Sequence, residues 1–298
     1  MYASILVETM PSRELMRRTR PAWAILCWTL ALAAWSLSGQ TPPAAAAPVR
    51  ILFIGNSYVY VNKLPLALAK LAASAVDPVR IETSEVVVGG ATLQQHWAKG
   101  DALEAIRKGV WDWVVLQEQS SLGGRSTGAD GVALPGPPER FYEFARLFNA
   151  EIRKTKAHTL LYLTWANEQA PEGQARLTEA YRSLARELSA TLAPVGIAFQ
   201  NARTGNSALS LYRSDHSHPS PAGTYLIACV FYSVVTGRNP AGLTATILDE
   251  QHKPDEPLEM IRLSVDDAAY LQRVAWRTVL SDPFVGDRPA KAAADAKR

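Results

Sequence analysis

The sequence predicts an α/β fold: a three-layer α/β/α sandwich around a parallel sheet of about five strands. Three observations point there. Five short, mainly apolar runs are spread along the chain, beginning with "VRILFIGNS" at residues 49–57. Stretches with helical spacing separate them. Glycines and short polar residues close the runs. Strands that are apolar on both faces belong in a parallel sheet covered by helices on each side.

The elements follow in order. The first strand runs into Gly55-Asn56-Ser57, and "KLPLALAKLAASA" follows with helical spacing. "IETSEVVVGG" is a second strand ending on two glycines. "TLQQHWAKGDALEAIRKG" is helical with a break at Gly100, and "WDWVVLQEQS" is a third strand. After the irregular stretch "SLGGRSTGADGVALPGPP", long enough to be functional or mobile, "PPERFYEFARLFNAEIRKTK" is a helix with a proline start. "HTLLYLTWA" is the fourth strand. "GQARLTEAYRSLARELSATL" is amphipathic, with Leu177, Tyr181, Leu184 and Leu188 on one face. "PVGIAFQ" reads as the fifth strand. "SPAGTYLIACVFYSVVTG" is a buried helix closed by Gly237, and "SVDDAAYLQRVAWRTVL" is a final helix with a serine cap and early carboxylates.

Residues 1–47 stand apart. The basic cluster Arg17-Arg18-Thr19-Arg20 precedes "PAWAILCWTLALAAWSLSG", and small residues follow at "PPAAAAP", the layout of a secretory leader. The expectation is a secreted or periplasmic protein with cleavage near Ala46 or Ala47; an anchor kept as an uncleaved leader is the alternative. The expected organisation is leader 1–47, one α/β domain 48–285 and disordered tail 286–298. The 298-residue chain is 48% hydrophobic and 20% charged, with a net charge of +3. Setting the leader aside removes four arginines and two glutamates, so the remainder is nearly neutral. Capture of nucleic acid is not expected, nor is a stable membrane partner once the leader is gone. Cys229 alone remains, so no internal disulfide forms, and its apolar run "YLIACVFYSVV" marks it as a small buried hydrophobe.

Ligands of open parallel sheets bind beyond the carboxyl ends of the strands. Those ends carry Gly55-Asn56-Ser57, Gly89-Gly90, Gln117-Glu118-Gln119-Ser120 and Thr164-Trp165-Ala166-Asn167. A serine nucleophile there needs a base, and the base needs an orienting group. Among the five histidines, His96, His158 and His252 lie elsewhere; His216 and His218 fall in "YRSDHSHPSPAGTYL", with Asp215 three residues before His218. An isolated D-x-x-H is more often a polar turn. Paired with Ser57 at the first strand end and glycines at the second, it is a candidate site. A second Gly-Asn-Ser, ending at Ser207, follows no strand directly and reads as a turn or cap. H-E-x-x-H and a P-loop are absent from the sequence, so no metal or nucleotide cofactor is expected.

The chain resembles the SGNH (GDSL-like) hydrolases, in the branch whose first block reads "FIGNS". The matching blocks are "ILFIGNSYVYVNKLP", "VVVGGATLQQHW", "WDWVVLQEQS" and "SDHSHPSPAGTYLIACVFY", spread over residues 50 to 235. The resemblance implies an SGNH/flavodoxin-like sheet, Ser57 as nucleophile, His218 as base and Asp215 as its orienting carboxylate. It implies an oxyanion hole from the N–H groups of Ser57 and Gly90. The third block departs from the family's G-x-N-D turn, and a glutamine amide is expected to replace its asparagine: Gln119 first, Gln117 second. Asn56 stands where aspartate is usual and is expected to brace the turn. Trp165 is a candidate wall of the acyl or sugar pocket, with core packing the alternative. The implied partner is a small ester, with acetyl esters of carbohydrates among the candidates. A binding protein without turnover and an acyltransferase are the alternatives.

Overall fold

The computed structural model describes residues 47–123, 125–127, 133–206, 208–250 and 258–286. Residues 1–46 of the expected leader, Ser207, His252 and residues 287–298 of the expected tail lie outside them. The central sheet has five parallel strands: β1 (Val49–Gly55), β2 (Ile81–Val87), β3 (Trp113–Leu116), β6 (His158–Tyr162) and β7 (Thr191–Ala193). Their order is β2-β1-β3-β6-β7, the doubly wound flavodoxin-like order. Two antiparallel hairpins, β4–β5 (Arg125–Thr127 with Ala133–Pro135) and β8–β9 (Thr246–Asp249 with Leu258–Arg262), lie outside it.

Alternation along β1 divides the core. Ile51 and Phe53 pack on one side, with α2 (Leu64–Ala73), α7 (Val195–Gly205), α8 (Pro221–Thr236) and α9 (Val265–Ser281). Leu52 and Ile54 pack on the other, with α3 (Leu93–Lys99), α4 (Asp101–Lys108), α5 (Glu139–Ile152) and α6 (Gly173–Leu188). β3 repeats the pattern, Trp113 and Val115 against Val114 and Leu116. A strand buried on both faces is apolar throughout for this reason. Helix α8 is buried from Ala222 to Val235, which is why it lacks a polar stripe.

The expected fifth strand, "PVGIAFQ", is a helix. Val195, Ala198, Phe199 and Ala202 are buried at helical spacing in α7, directly after Pro194, and the actual strand is the preceding Thr191–Ala193. A short apolar run fits either period, and here the proline marks a helix start. The preceding helix ends at Leu188 rather than Leu192, stopped by Ser189 at φ 51°. Neither hairpin is announced by the sequence pattern; β4 and β5 lie in the irregular stretch after the third strand.

Candidate active site

The first strand end is built around a glutamine. A Cβ on Gly55 would overlap Gln117 Oε1 and sit 2.9 Å from Val59 Cγ2. Without a Cβ, Gln117 crosses the strand end and its Oε1 accepts the Asn56 N–H at 2.8 Å. Its Nε2 donates to the Glu118 carbonyl at 2.6 Å, and its own N–H still belongs to the sheet, donating to Ile54 O at 2.9 Å. Asn56 is buried; Nδ2 donates to Ala91 O at 2.9 Å, and Oδ1 accepts the Tyr58 N–H at 3.2 Å, capping the short helix α1 (Ser57–Tyr60). His96, buried in α3, donates Nε2–H to Gly55 O at 2.7 Å. Burial lowers its basicity. Ser57 therefore leaves the sheet from a turn fixed on three sides.

The loop before α8 supplies its partners. Asp215 Oδ1 accepts the N–H groups of Ser217 and His218 at 2.9 and 2.8 Å. Its Oδ2 accepts His218 Nδ1–H at 2.7 Å. With that proton on Nδ1, His218 Nε2 is the acceptor for the Ser57 hydroxyl, 2.8 Å away. Partial burial of Asp215 opposes ionisation, but the two N–H groups and the His218 ring outweigh it and hold the carboxyl at about 2. The loop is closed on itself by Arg213 N–H to His218 O (2.8 Å) and pinned to the first block by Asn62, whose Nδ2 donates to Pro219 O and Thr224 Oγ1. Asn62 sits at φ 54°, a left-handed position that asparagine tolerates. The structure thus brings Ser57, His218 and Asp215 into one hydrogen-bonded chain: a hydroxyl, an unprotonated ring nitrogen and an orienting carboxylate.

These groups open into a cleft of about 350 Å³ lined by Ser57, Gly90, Gln119, Ser120, Ser217 and His218, among others. Among the described residues no acceptor meets the N–H groups of Ser57, Gly89 or Gly90. Gly90 has φ +68° and open space where a Cβ would lie, so the left-handed backbone, not crowding, calls for glycine there. Gln119 Oε1 accepts both the N–H and the hydroxyl of Ser121, and among the described residues Nε2 has no partner at the cleft wall. The second choice, Gln117, is wholly buried with both ends of its amide engaged, and it does not reach the cleft. Trp165 does not line the cleft either. It is fully buried, stacked between Tyr58 (4.5 Å) and Phe199 (4.3 Å), and its Nε1–H donates to Ser217 O at 2.9 Å. Through that bond it braces the histidine loop.

Solved structures share this architecture. A DUF4886 family protein from Bacteroides uniformis gives a TM-score of 0.60 at 17% identity, covering 79% of this chain and 96% of that one. The acetyl xylan esterase AlAXEase gives 0.51 at 16% identity, covering 63% and 100%. LAE5, an alpha/beta hydrolase enzyme from the metagenome of Lake Arreo, gives 0.50 at 16% identity, covering 63% and 95%. These similarities establish the fold. No protein-family profile and no curated protein sequence matches the chain.

Several supporting residues carry no signal in the sequence. Tyr58 follows the serine; its hydroxyl pairs with Ser217 Oγ at 2.6 Å and its ring meets His218 edge-on at 5.6 Å. Glu168 and His216 clasp each other twice: His216 Nδ1 meets Glu168 Oε2 at 2.8 Å, and Glu168 N–H donates to His216 O at 2.9 Å. No local spacing announces that pair, since 48 residues separate its members. Glu118 is buried behind Gln119. Its Oε1 accepts the Gln119 N–H at 2.7 Å and its Oε2 the Leu93 N–H at 3.1 Å. Burial raises this carboxyl to about 7, against the pull of those two donors. The folded chain then holds a proton there that the unfolded chain has released above pH 4.5. Stability should fall by about 3 kcal/mol as pH rises from about 4.5 to 7 through this group. Urea unfolding of Glu118→Gln against the parent at about pH 5 and pH 8 should show a flatter pH dependence in the variant; equal slopes would exclude Glu118 as the source.

Proposed function

We propose that this chain is a serine esterase of the SGNH type, acting on small acyl esters through an acyl-serine. The observation that carries the reading is the unbroken chain from Ser57 Oγ through His218 to Asp215, opening into a cleft with unpaired N–H groups. Ser57 Oγ attacks the ester carbonyl carbon while His218 Nε2 takes its proton. The N–H groups of Ser57 and Gly90 and the Gln119 amide stabilise the oxyanion. Collapse breaks the bond to the alcohol, which leaves with the proton from His218. Water, deprotonated by His218, then cleaves the Ser57 ester and releases the acid. Asp215 keeps the ring in the tautomer that both steps need.

The lining of the cleft supports a substrate class. Among the described residues its lining is hydroxyl, amide, imidazole, glycine and two tyrosines, with no aliphatic side chain to sheath a long acyl tail. A short acyl group, acetyl above all, on a polar alcohol such as a carbohydrate fits that lining. One fold neighbour is itself an acetyl xylan esterase. The leader-like residues 1–47 support action outside the cytoplasm, secreted or periplasmic. A fluorophosphonate probe should label the purified protein at Ser57, and Ser57→Ala should not label. A parent protein that stays unlabelled would instead favour a binding protein on the same fold.

A further inference from the structure

A second cavity, of about 380 Å³, opens on the same edge of the sheet between the segment after β6, helix α7 and the loop leading to Tyr212. It shares no residue with the Ser57 cleft. Its two charged residues are Glu168 and Arg203. Among the described residues, Glu168 Oε2 is occupied by His216, while Oε1 lies 4.0 Å from Arg203 Nη2, beyond hydrogen-bond reach. The Arg203 guanidinium lies over the Tyr212 ring, 5.3 Å from its centre. Among the described residues, the exposed Gln200 side-chain amide has no hydrogen-bond partner. Among the described residues, the wall therefore offers guanidinium N–H donors, one carboxylate oxygen and one free amide.

We propose that this cavity binds a neutral sugar residue. Each sugar hydroxyl both donates and accepts, so neighbouring hydroxyls can accept from Arg203 and Gln200 while donating to Glu168 Oε1. A carboxylate ligand would face Glu168, and a cationic one would face Arg203; a neutral polyol satisfies both without an unpaired charge. The walls are already set. Tyr212 OH donates to Ala166 O at 3.1 Å, and buried Gln174 accepts from Ala166 N–H at 2.9 Å and donates to Thr164 O, so little ordering accompanies binding. Through Glu168 the cavity abuts His216, which stands between Asp215 and His218. On the hydrolase reading, on which this step alone rests, the occupant is a sugar unit near the one carrying the ester.

Titration calorimetry with a neutral trisaccharide, xylotriose, should show binding to the full chain. Arg203→Ala and the exposed Gln200→Ala should each weaken it. For Arg203→Ala the loss should be about tenfold, the scale of one hydrogen bond to a charged group. An anionic trigalacturonate should bind more weakly than xylotriose. Absent xylotriose binding, unchanged affinity in both variants, or tighter binding of trigalacturonate would each overturn the proposal. The readout is independent of catalysis. Lost sugar binding with Ser57 still labelled by fluorophosphonate rejects the cavity alone, whereas sugar binding without labelling rejects the hydrolase reading alone.

Discussion

Ser57→Ala and His218→Ala should each reduce kcat for p-nitrophenyl acetate by about 10⁴-fold or more, and the double variant should fall little further. The two side chains act as one unit, so removing either ends the proton transfer that makes the hydroxyl a nucleophile. Asp215→Asn should keep the loop folded, because its remaining oxygen can still accept the N–H groups of Ser217 and His218. Its new N–H₂ would donate toward His218 Nδ1, forcing the ring proton onto Nε2, where it faces Ser57 and blocks the base. Activity should then drop with little change in thermal midpoint. Steady-state kinetics with a denaturation scan on the same preparations decide it. Wild-type turnover in Ser57→Ala would end the mechanism.

The sequence made the sheet legible because its inner strands are buried on both faces and so read as unbroken apolar runs. The fifth strand escaped because Thr191–Ala193 is three residues at the sheet edge, while the more apolar "PVGIAFQ" beside it packs as a helix. Asp215 and His218 stood out because one short loop carries both. Gln117 and Gln119 could not be separated in the same way. Two residues apart at a strand end, they share a side in an extended chain. Only the packing distinguishes them: Gln117 is drawn over Gly55 to Asn56, while Gln119 is left at the cleft. Trp165 was ambiguous for a related reason, since an aromatic at a strand end can face a ligand or sit beneath the loop that does.

That packing makes the second large effect. Gly55→Ala should cost about 1–3 kcal/mol, because the new methyl overlaps Gln117 Oε1 and presses on Val59 in a filled core. Gln117→Ala should cost a similar amount by another route: the buried Asn56 N–H loses its acceptor. If the two positions form one device, the double variant should be less destabilised than the sum, by about 1 kcal/mol, since removing Oε1 relieves the overlap that the added methyl creates. The relief stays partial, because Val59 Cγ2 at 2.9 Å and the Gln117 Cβ position at 3.0 Å remain. Activity should not recover with stability. Asn56 N–H is one of the anchors that fix the turn before Ser57, and a nucleophile displaced by about 1 Å loses about a hundredfold in rate. Urea unfolding gives the coupling and kcat gives the positioning. Strict additivity would mean that Gly55 has its own reason to be glycine; coupling without recovery of kcat would mean that Gln117 holds the turn that presents Ser57 rather than donating to the oxyanion.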